Sequence, residues 1–299
     1  MPSRLVLAYC GLLVACLCWG GNALVARAFY QDIPPLSLSF WRWLTALAIL
    51  LPFVARPMWQ HRMALRRAGW RLWVLAALGI SCYNSLLYTA AQSTAAINLT
   101  LVNTCLPLAT FIGGGLLFGE WPERRSWIGL GVAAAGLVAL ISRGSLANLT
   151  GLVFNPGDLV MLLAVVVWAL YTLLIRRWTP ALGLPPLVLL GTLVLLGVPM
   201  ILPFYLWELS QVGGFAVTAG NLGAVAYTAV CASLVAYLAW NHGVRVVGAA
   251  KAAITSYSMP LFTALLGWLV LGETLQLFHW VGGAMIFAGL LLATRPALR

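Results

Sequence analysis

Lys251 is the only lysine in the chain, and it lies in an apolar run, Gly248 to Glu273, long enough to cross a bilayer. An amine at the bilayer centre costs roughly 3 to more than 10 kcal/mol, so this one either faces a wet cavity or snorkels to a nearby boundary on its four-carbon stem. Facing a cavity, it is the first candidate for a substrate-binding group, and Thr255 and Ser258 share its helical face. Arg42, in Phe40-Trp41-Arg42-Trp43, is a second cation inside an apolar run. It either neutralises a substrate carboxylate or pairs with backbone carbonyls and snorkels outward, and its flanking tryptophans favour the second role. Aromatic and amide side chains form a further set: Trp19 with Asn22, Trp168 with Tyr171, Tyr83 and Asn84 with Tyr88, and Tyr237 with Asn241 beside Trp240. Rings offer stacking surfaces, and amides with a cation hold a charged end, so the chemistry on offer is binding rather than bond making. The same residue types also serve as interfacial anchors and as glue between helices.

Bond-making chemistry finds little support. There is no intramembrane Asp pair and no His-Glu-x-x-His, and His61, His242 and His279 all lie near the ends of apolar runs. Gly113-Gly114-Gly115 lacks the Gly-Lys-Ser/Thr of a phosphate loop and reads as close helix packing. The six cysteines fall inside apolar segments without metal-ligand spacing, so neither a disulfide framework nor a metal site is expected, and no cofactor is implied. No Asp or Glu lies deep in an apolar run, so the usual carboxylate carrier for proton coupling is missing.

The elements that must hold these residues follow from composition. With 63% hydrophobic and 8% charged residues, the 299-residue chain has almost no material for a solvated surface. Apolar stretches of about 20 residues without period-two alternation indicate an all-α polytopic membrane protein. Ten spans are expected, near 5–29, 35–55, 70–91, 94–118, 126–141, 157–178, 186–207, 215–240, 246–271 and 275–294. Turn residues separate them: Pro34-Pro35, Gly119-Glu120-Trp121-Pro122, Asn155-Pro156-Gly157, Pro185-Pro186 and Gly213-Gly214. The first stretch is too long for a secretory signal core and is taken as the first span. The net charge of +11 sits in loops, where it reports orientation rather than nucleic-acid binding. Arg56, Arg62, Arg66, Arg67 and Arg71 make the second connection cytoplasmic, and with it both termini.

The chain also repeats itself. Pro107, Gly119-Glu120, Trp127, Gly129 and Gly136 recur at a constant offset of 153 as Pro260, Gly272-Glu273, Trp280, Gly282 and Gly289. Trp19 and Arg27 recur 149 residues on as Trp168 and Arg176. Two five-span repeats result, residues 1–149 and 150–299, and an odd number of spans inverts the second against the first. Inverted repeats place a substrate site near the midplane between the halves and permit alternating access. One central cavity is therefore expected, with Pro107 and Pro260 as matched bending points and Asn98 as the repeat partner of Lys251.

The ten-span plan, Trp19-Gly20-Gly21-Asn22, Phe40-Trp41-Arg42 and the repeated Pro-Leu…Gly-Glu pattern resemble the drug/metabolite transporter superfamily, of the EamA type, over essentially the whole chain. Within it the chain looks most similar to the YddG-type aromatic amino-acid exporters. The resemblance implies a multi-pass protein of the bacterial inner membrane that exports aromatic and other hydrophobic amino acids through a basket-shaped bundle. A multidrug or other metabolite exporter is the alternative, followed by a passive channel, with an embedded enzyme last. The partners implied are a small-molecule substrate and the lipid bilayer, with a monomer favoured.

Overall fold

The computed structural model describes residues 2–94, 99, 102–143, 145, 155–271 and 275–294, and these contain helices and turns but no strand. In chain order the α-helices are α1 (Pro2–Phe29), α2 (Pro35–Gln60), α3 (Arg62–Ala68), α4 (Trp70–Ala76), α5 (Tyr83–Ser93), α6 (Cys105–Phe118) and α7 (Arg124–Ile141). They continue as α8 (Pro156–Trp178), α9 (Pro186–Val212), α10 (Ala219–Tyr227), α11 (Ala236–Val247), α12 (Ala249–Thr255), α13 (Met259–Leu271) and α14 (Leu277–Thr294). Proline opens α2, α8 and α9, where its fixed φ suits the first turn and its missing N–H costs nothing. Gly119 closes α6 at φ +69°, a left-handed conformation that glycine adopts without penalty.

Eight stretches among the described residues are long and apolar enough to cross a bilayer, and Cys105–Phe118 and Leu277–Ala293 are apolar but shorter. Several spans are not the uniform helices that hydropathy suggests. The third is interrupted by a π-helical segment, Ala77–Cys82, and the eighth by another, Thr228–Val235. The ninth is broken by the 3₁₀ turn Ser256–Ser258 between α12 and α13. Pro107 is the third residue of α6 and Pro260 the second of α13, so each proline begins a helix beside a break rather than bending one at its middle. A proline in the first turn removes no helical hydrogen bond, which is why the irregular backbone lies just before it.

The helix pairs come in couples. α1 packs on α11 and on α13, while α8 packs on α5 and on α6; α2 packs on the π segment Thr228–Val235, and α9 on Ala77–Cys82. Exchanging the helices before residue 150 for those after it turns each pair into its companion. The pairs α2–α9 and α7–α14 map onto themselves. In the second of these, glycine removes the side chains at the crossing: a Cβ on Gly136 would lie 2.7 Å from the Gly282 carbonyl oxygen, and one on Gly282 would lie 2.7 Å from that of Gly136. Such small-residue crossings let backbones approach closely enough for packing to replace the hydrophobic driving force that lipid does not supply.

The distribution of residue types is that of a membrane bundle. Phe53, Leu116, Leu159 and Phe204 point outward, whereas Arg42, Ser37, Thr172, Ser233 and Thr255 are fully enclosed.

Candidate functional site

Seven aromatic rings from α1, α2, α5, α8 and α11 meet inside the bundle. Trp19 stands edge-on to Trp168 with centroids 5.3 Å apart, and lies 5.2 Å from Trp240 and 6.0 Å from Tyr237. Trp168 in turn lies 4.7 Å from Tyr83 and 5.0 Å from Tyr171, and Trp43 meets Tyr237 edge-on at 5.0 Å. The edge-to-face geometry sets positive ring edges against negative faces. Space for the Tyr171 ring comes from Gly79, where any Cβ would collide with it.

A polar network borders the rings, and its centre is Arg42. Seven residues after the first residue of α2, about 10 Å along the helix, this arginine is 0% exposed. Its Nε donates to Ser233 Oγ (2.8 Å), Nη1 to Asn84 Oδ1 (3.0 Å) and Tyr88 OH (2.7 Å), and Nη2 to the Ala232 carbonyl (3.2 Å). Tyr88 donates onward to Asn22 Oδ1 (3.1 Å). Asn84 Nδ2 donates to Tyr237 OH (3.1 Å), which donates to the Gly79 carbonyl (2.6 Å). The guanidinium also lies over Trp43, 5.1 Å from the ring centroid. The outward-snorkelling role favoured by the flanking tryptophans is thus not what the fold builds. Trp41 is exposed, but Arg42 and Trp43, one step further round the helix, point into the bundle.

Both π segments contribute backbone to this network. The Ala232 carbonyl accepts from Trp19 Nε1 at 2.9 Å as well as from Arg42, and the Gly79 carbonyl accepts from Tyr237. A wider helical turn leaves carbonyls free for outside donors, and π-bulges recur at functional positions for that reason.

Residues at matching positions of the repeat touch one another here. Trp19 meets Trp168, 149 residues on. Asn84 bonds Tyr237, and Tyr257 donates to the Thr104 carbonyl at 2.7 Å, each pair separated by 153 residues. Two matched residues can be in contact only where the halves meet.

The sequence-chosen residues divide into separate places. Trp19, Asn22, Tyr83, Asn84, Tyr88, Trp168, Tyr171 and Tyr237 belong to the rings and network, and Asn241 joins them by accepting from Tyr171 OH at 3.0 Å. Lys251 does not join them. It stands in the first turn of α12, half-buried, lining a cavity of about 210 Å³ with Glu120, Arg176, Thr110 and Ser126. The helix restarts at Gly248, φ +94°, so Lys251 shares the bundle end reached by Arg176 and Arg245. Thr255 and Ser258 are fully buried and spend their hydroxyls on carbonyls of their own chain segment, Ala252 (2.5 Å) and Thr255 (2.7 Å). Asn98 and the Gly272-Glu273 pair lie outside the described residues. The sequence-chosen residues thus fall in two places, a packed ring cluster and a separate cavity at the Lys251 end. The rings fill the centre against one another.

Two buried carboxylates hold the opposite end. Glu208, near the end of α9, accepts from Leu36 N (2.9 Å), Ser37 N (2.7 Å) and Ser37 Oγ (2.9 Å), capping α2 from a neighbouring helix. Asp158 accepts from Thr94 Oγ1 at the end of α5 and, at 2.8 Å, from Asn155 N at the start of its own helix. Among the described residues one ion pair remains, Arg176 Nε to Glu120 at 3.9 Å, beside Lys251.

Among known proteins, the chain is 27% identical to the uncharacterized transporter YyaM of Bacillus subtilis, over 87% of this chain and 84% of that one. It is 28% identical to the uncharacterized inner membrane transporter YedA of Escherichia coli K12, over 98% and 92%, and 29% identical to protein PecM of Dickeya dadantii, over 92% and 88%. A solved crystal structure superposes with a TM-score of 0.79 at 21% identity, covering 98% of this chain and 97% of the other, which shows a shared fold. The EamA-like transporter family model matches twice, over residues 6–142 and 155–295, and the chain belongs to that family of membrane transporters.

Proposed function

We propose that the protein is a secondary carrier that exports aromatic and other hydrophobic amino acids across the bacterial inner membrane. In this reading the chain crosses ten times with both termini cytoplasmic, and residues 1–149 and 150–299 form two inverted halves. The halves rock about the ring cluster and expose it alternately to each side. The observation that carries the reading is the contact between repeat-matched residues, Trp19 with Trp168 and Asn84 with Tyr237, inside a cluster of seven rings. Such a cluster suits an aromatic or apolar side chain, and amide, phenol and guanidinium groups border it on one side. The name of the relative YedA supports the inner membrane as location.

The test is counterflow in proteoliposomes preloaded with Phe, Tyr, Trp or Met. Saturable exchange of the labelled amino acid is expected. No exchange of any of the four, with another metabolite carried instead, would sink the substrate assignment, and an ohmic current would replace the carrier with a channel. Export of lipophilic cations, which aromatic cages also accept, is disfavoured by Arg42, the cation that borders the rings.

A further inference from the structure

The donors around the ring cluster outnumber their acceptors. Arg42 offers five N–H groups, of which four are bonded, all to neutral acceptors. Of the six Asp and Glu residues in the sequence, the five described ones lie elsewhere: Asp32 before α2, Glu120 and Glu123 between α6 and α7, and Asp158 and Glu208 at the helix ends described above. Trp43 and Trp240 are both 0% exposed, and neither indole Nε1–H has an acceptor among the described residues. Both rings belong to the cluster: Trp43 lies under the Arg42 guanidinium and against Tyr237, and Trp240 against Trp19 and Trp168. A buried cation with no counter-charge among the described residues, and buried N–H groups with no acceptor there, are each costly, and they point to the same missing chemistry. That chemistry is an acceptor-rich anion.

We propose that Arg42, with the indole N–H of Trp43 beside it, is the carboxylate subsite of the ring cluster, so that the transported class is ring-bearing carboxylates. The inference rests on the carrier reading above and deepens it. The carboxylate takes the place of Asn84 Oδ1 and Tyr88 OH on Nη1. Releasing those two side chains loosens the links they make to Tyr237 on α11 and Asn22 on α1. Arginine suits this role because its planar fork binds a carboxylate through two parallel bonds. Lys251, in the end cavity, is then a point charge at the mouth rather than the residue that fixes substrate orientation.

Binding to the purified full chain in nanodiscs tests this with three probes that share a phenylpropyl skeleton: 3-phenylpropionate, 3-phenylpropanamide and 3-phenylpropylamine. The wild type is expected to prefer the carboxylate over the amide by tenfold or more and to bind the amine worst. Arg42→Gln is expected to abolish the carboxylate preference while amide binding persists, and Arg42→Lys to retain part of it. Trp43→Phe, which removes the N–H donor together with the five-membered ring, should weaken the carboxylate a few-fold more than the amide. A folded Arg42→Gln protein that keeps the wild-type preference overturns the proposal, as does a wild type that prefers amide or amine. Should Arg42→Gln fail to fold, the wild-type ranking and Trp43→Phe still decide. The two readings fail separately: phenylpropionate binding without amino-acid counterflow removes the amino-acid assignment alone, whereas counterflow with unchanged KM in Arg42→Gln removes the subsite alone.

Discussion

Replacing Tyr237 by Phe removes one oxygen from the middle of the network and nothing else. The ring contacts with Trp43 at 5.0 Å and Trp168 at 5.3 Å are retained, so the change isolates the hydroxyl. Two hydrogen bonds go, one received from Asn84 Nδ2 at 3.1 Å and one given to the Gly79 carbonyl at 2.6 Å. Soluble-protein values of about 1 kcal/mol per bond give about 2 kcal/mol, and stranding the partners in a residue that is 1% exposed adds to it. Hydrogen bonds between membrane helices average nearer 0.6 kcal/mol, which sets the lower bound at about 1 kcal/mol. A loss of roughly 1–3 kcal/mol corresponds to a fall of about 2–12 °C in thermal midpoint for a chain of this size class. The assay is thermal unfolding in detergent followed by counterflow on the same preparation. Because Tyr237 ties α11 to the π segment Ala77–Cys82, the variant should also show altered turnover. A double-mutant cycle with Asn84→Ala should give a coupling of about 1 kcal/mol. An unshifted midpoint with zero coupling would refute the claim that this hydroxyl joins the two halves.

Three further changes probe the periphery. Gly136→Val puts side-chain atoms where the nearest neighbours are Met285 Cβ at 2.6 Å, the Gly282 carbonyl at 2.7 Å and Ile286 N at 2.9 Å, so a loss of about 3 kcal/mol is expected; Gly131→Val, with nothing within 4 Å, should leave the midpoint unchanged in the same measurement. Lys251→Met should leave the protein folded and raise the apparent KM for carboxylate substrates, more at low than at high ionic strength, as flux against salt concentration will show. Glu208→Gln keeps the shape but loses the charge that receives three hydrogen bonds from Leu36 and Ser37, at a cost of about 1–2 kcal/mol, and hydrogen exchange over residues 36–40 should quicken.

Several helix starts and ends were readable because a hydropathy edge coincides there with a breaker residue. Pro35, Pro156 and Pro186 each open a helix, and Gly119 closes one. The rings were readable for a different reason, since Trp19 and Trp168 occupy one repeat position and their coincidence marks the place where the halves meet. The π segments left no trace, because Ala77–Cys82 and Thr228–Val235 have the composition of any membrane helix and differ only in which carbonyl each N–H chooses. Prolines drew attention to the breaks near residues 104 and 256 but misplaced them by a few residues, since a proline is tolerated best just after a break. The two cations were the hardest to rank. Hydropathy gives depth along a helix but not direction around it, and direction decided both: Arg42 turns inward one position from the exposed Trp41, while Lys251 sits at a restart that only Gly248 betrays.

Ranking them correctly also bears on why a two-fold arrangement carries one-sided chemistry. Pro35 matches Pro186 at an offset of 151, which sets Leu193 opposite Arg42, and Leu193 is fully buried. Lys251 likewise faces Asn98 in the repeat. Packing is therefore duplicated, through α7–α14, α2–α9 and the coupled π segments, whereas each cation occurs once. In the carrier proposed above, duplicated packing would let either end of the bundle open at similar cost, as alternating access requires. Unduplicated charge makes the two openings unequal for an anion. From the cavity end it meets Arg176 and Lys251 beside Glu120 and Glu123 and reaches Arg42 last, while the buried carboxylates Glu208 and Asp158 stand at the other end. That inequality shapes the rates of loading and release without altering the equilibrium across the membrane, so a uniporter with this layout still runs down the substrate gradient. Any direction beyond that must come from the gradient or from a coupled ion, and not from the placement of Arg42 itself.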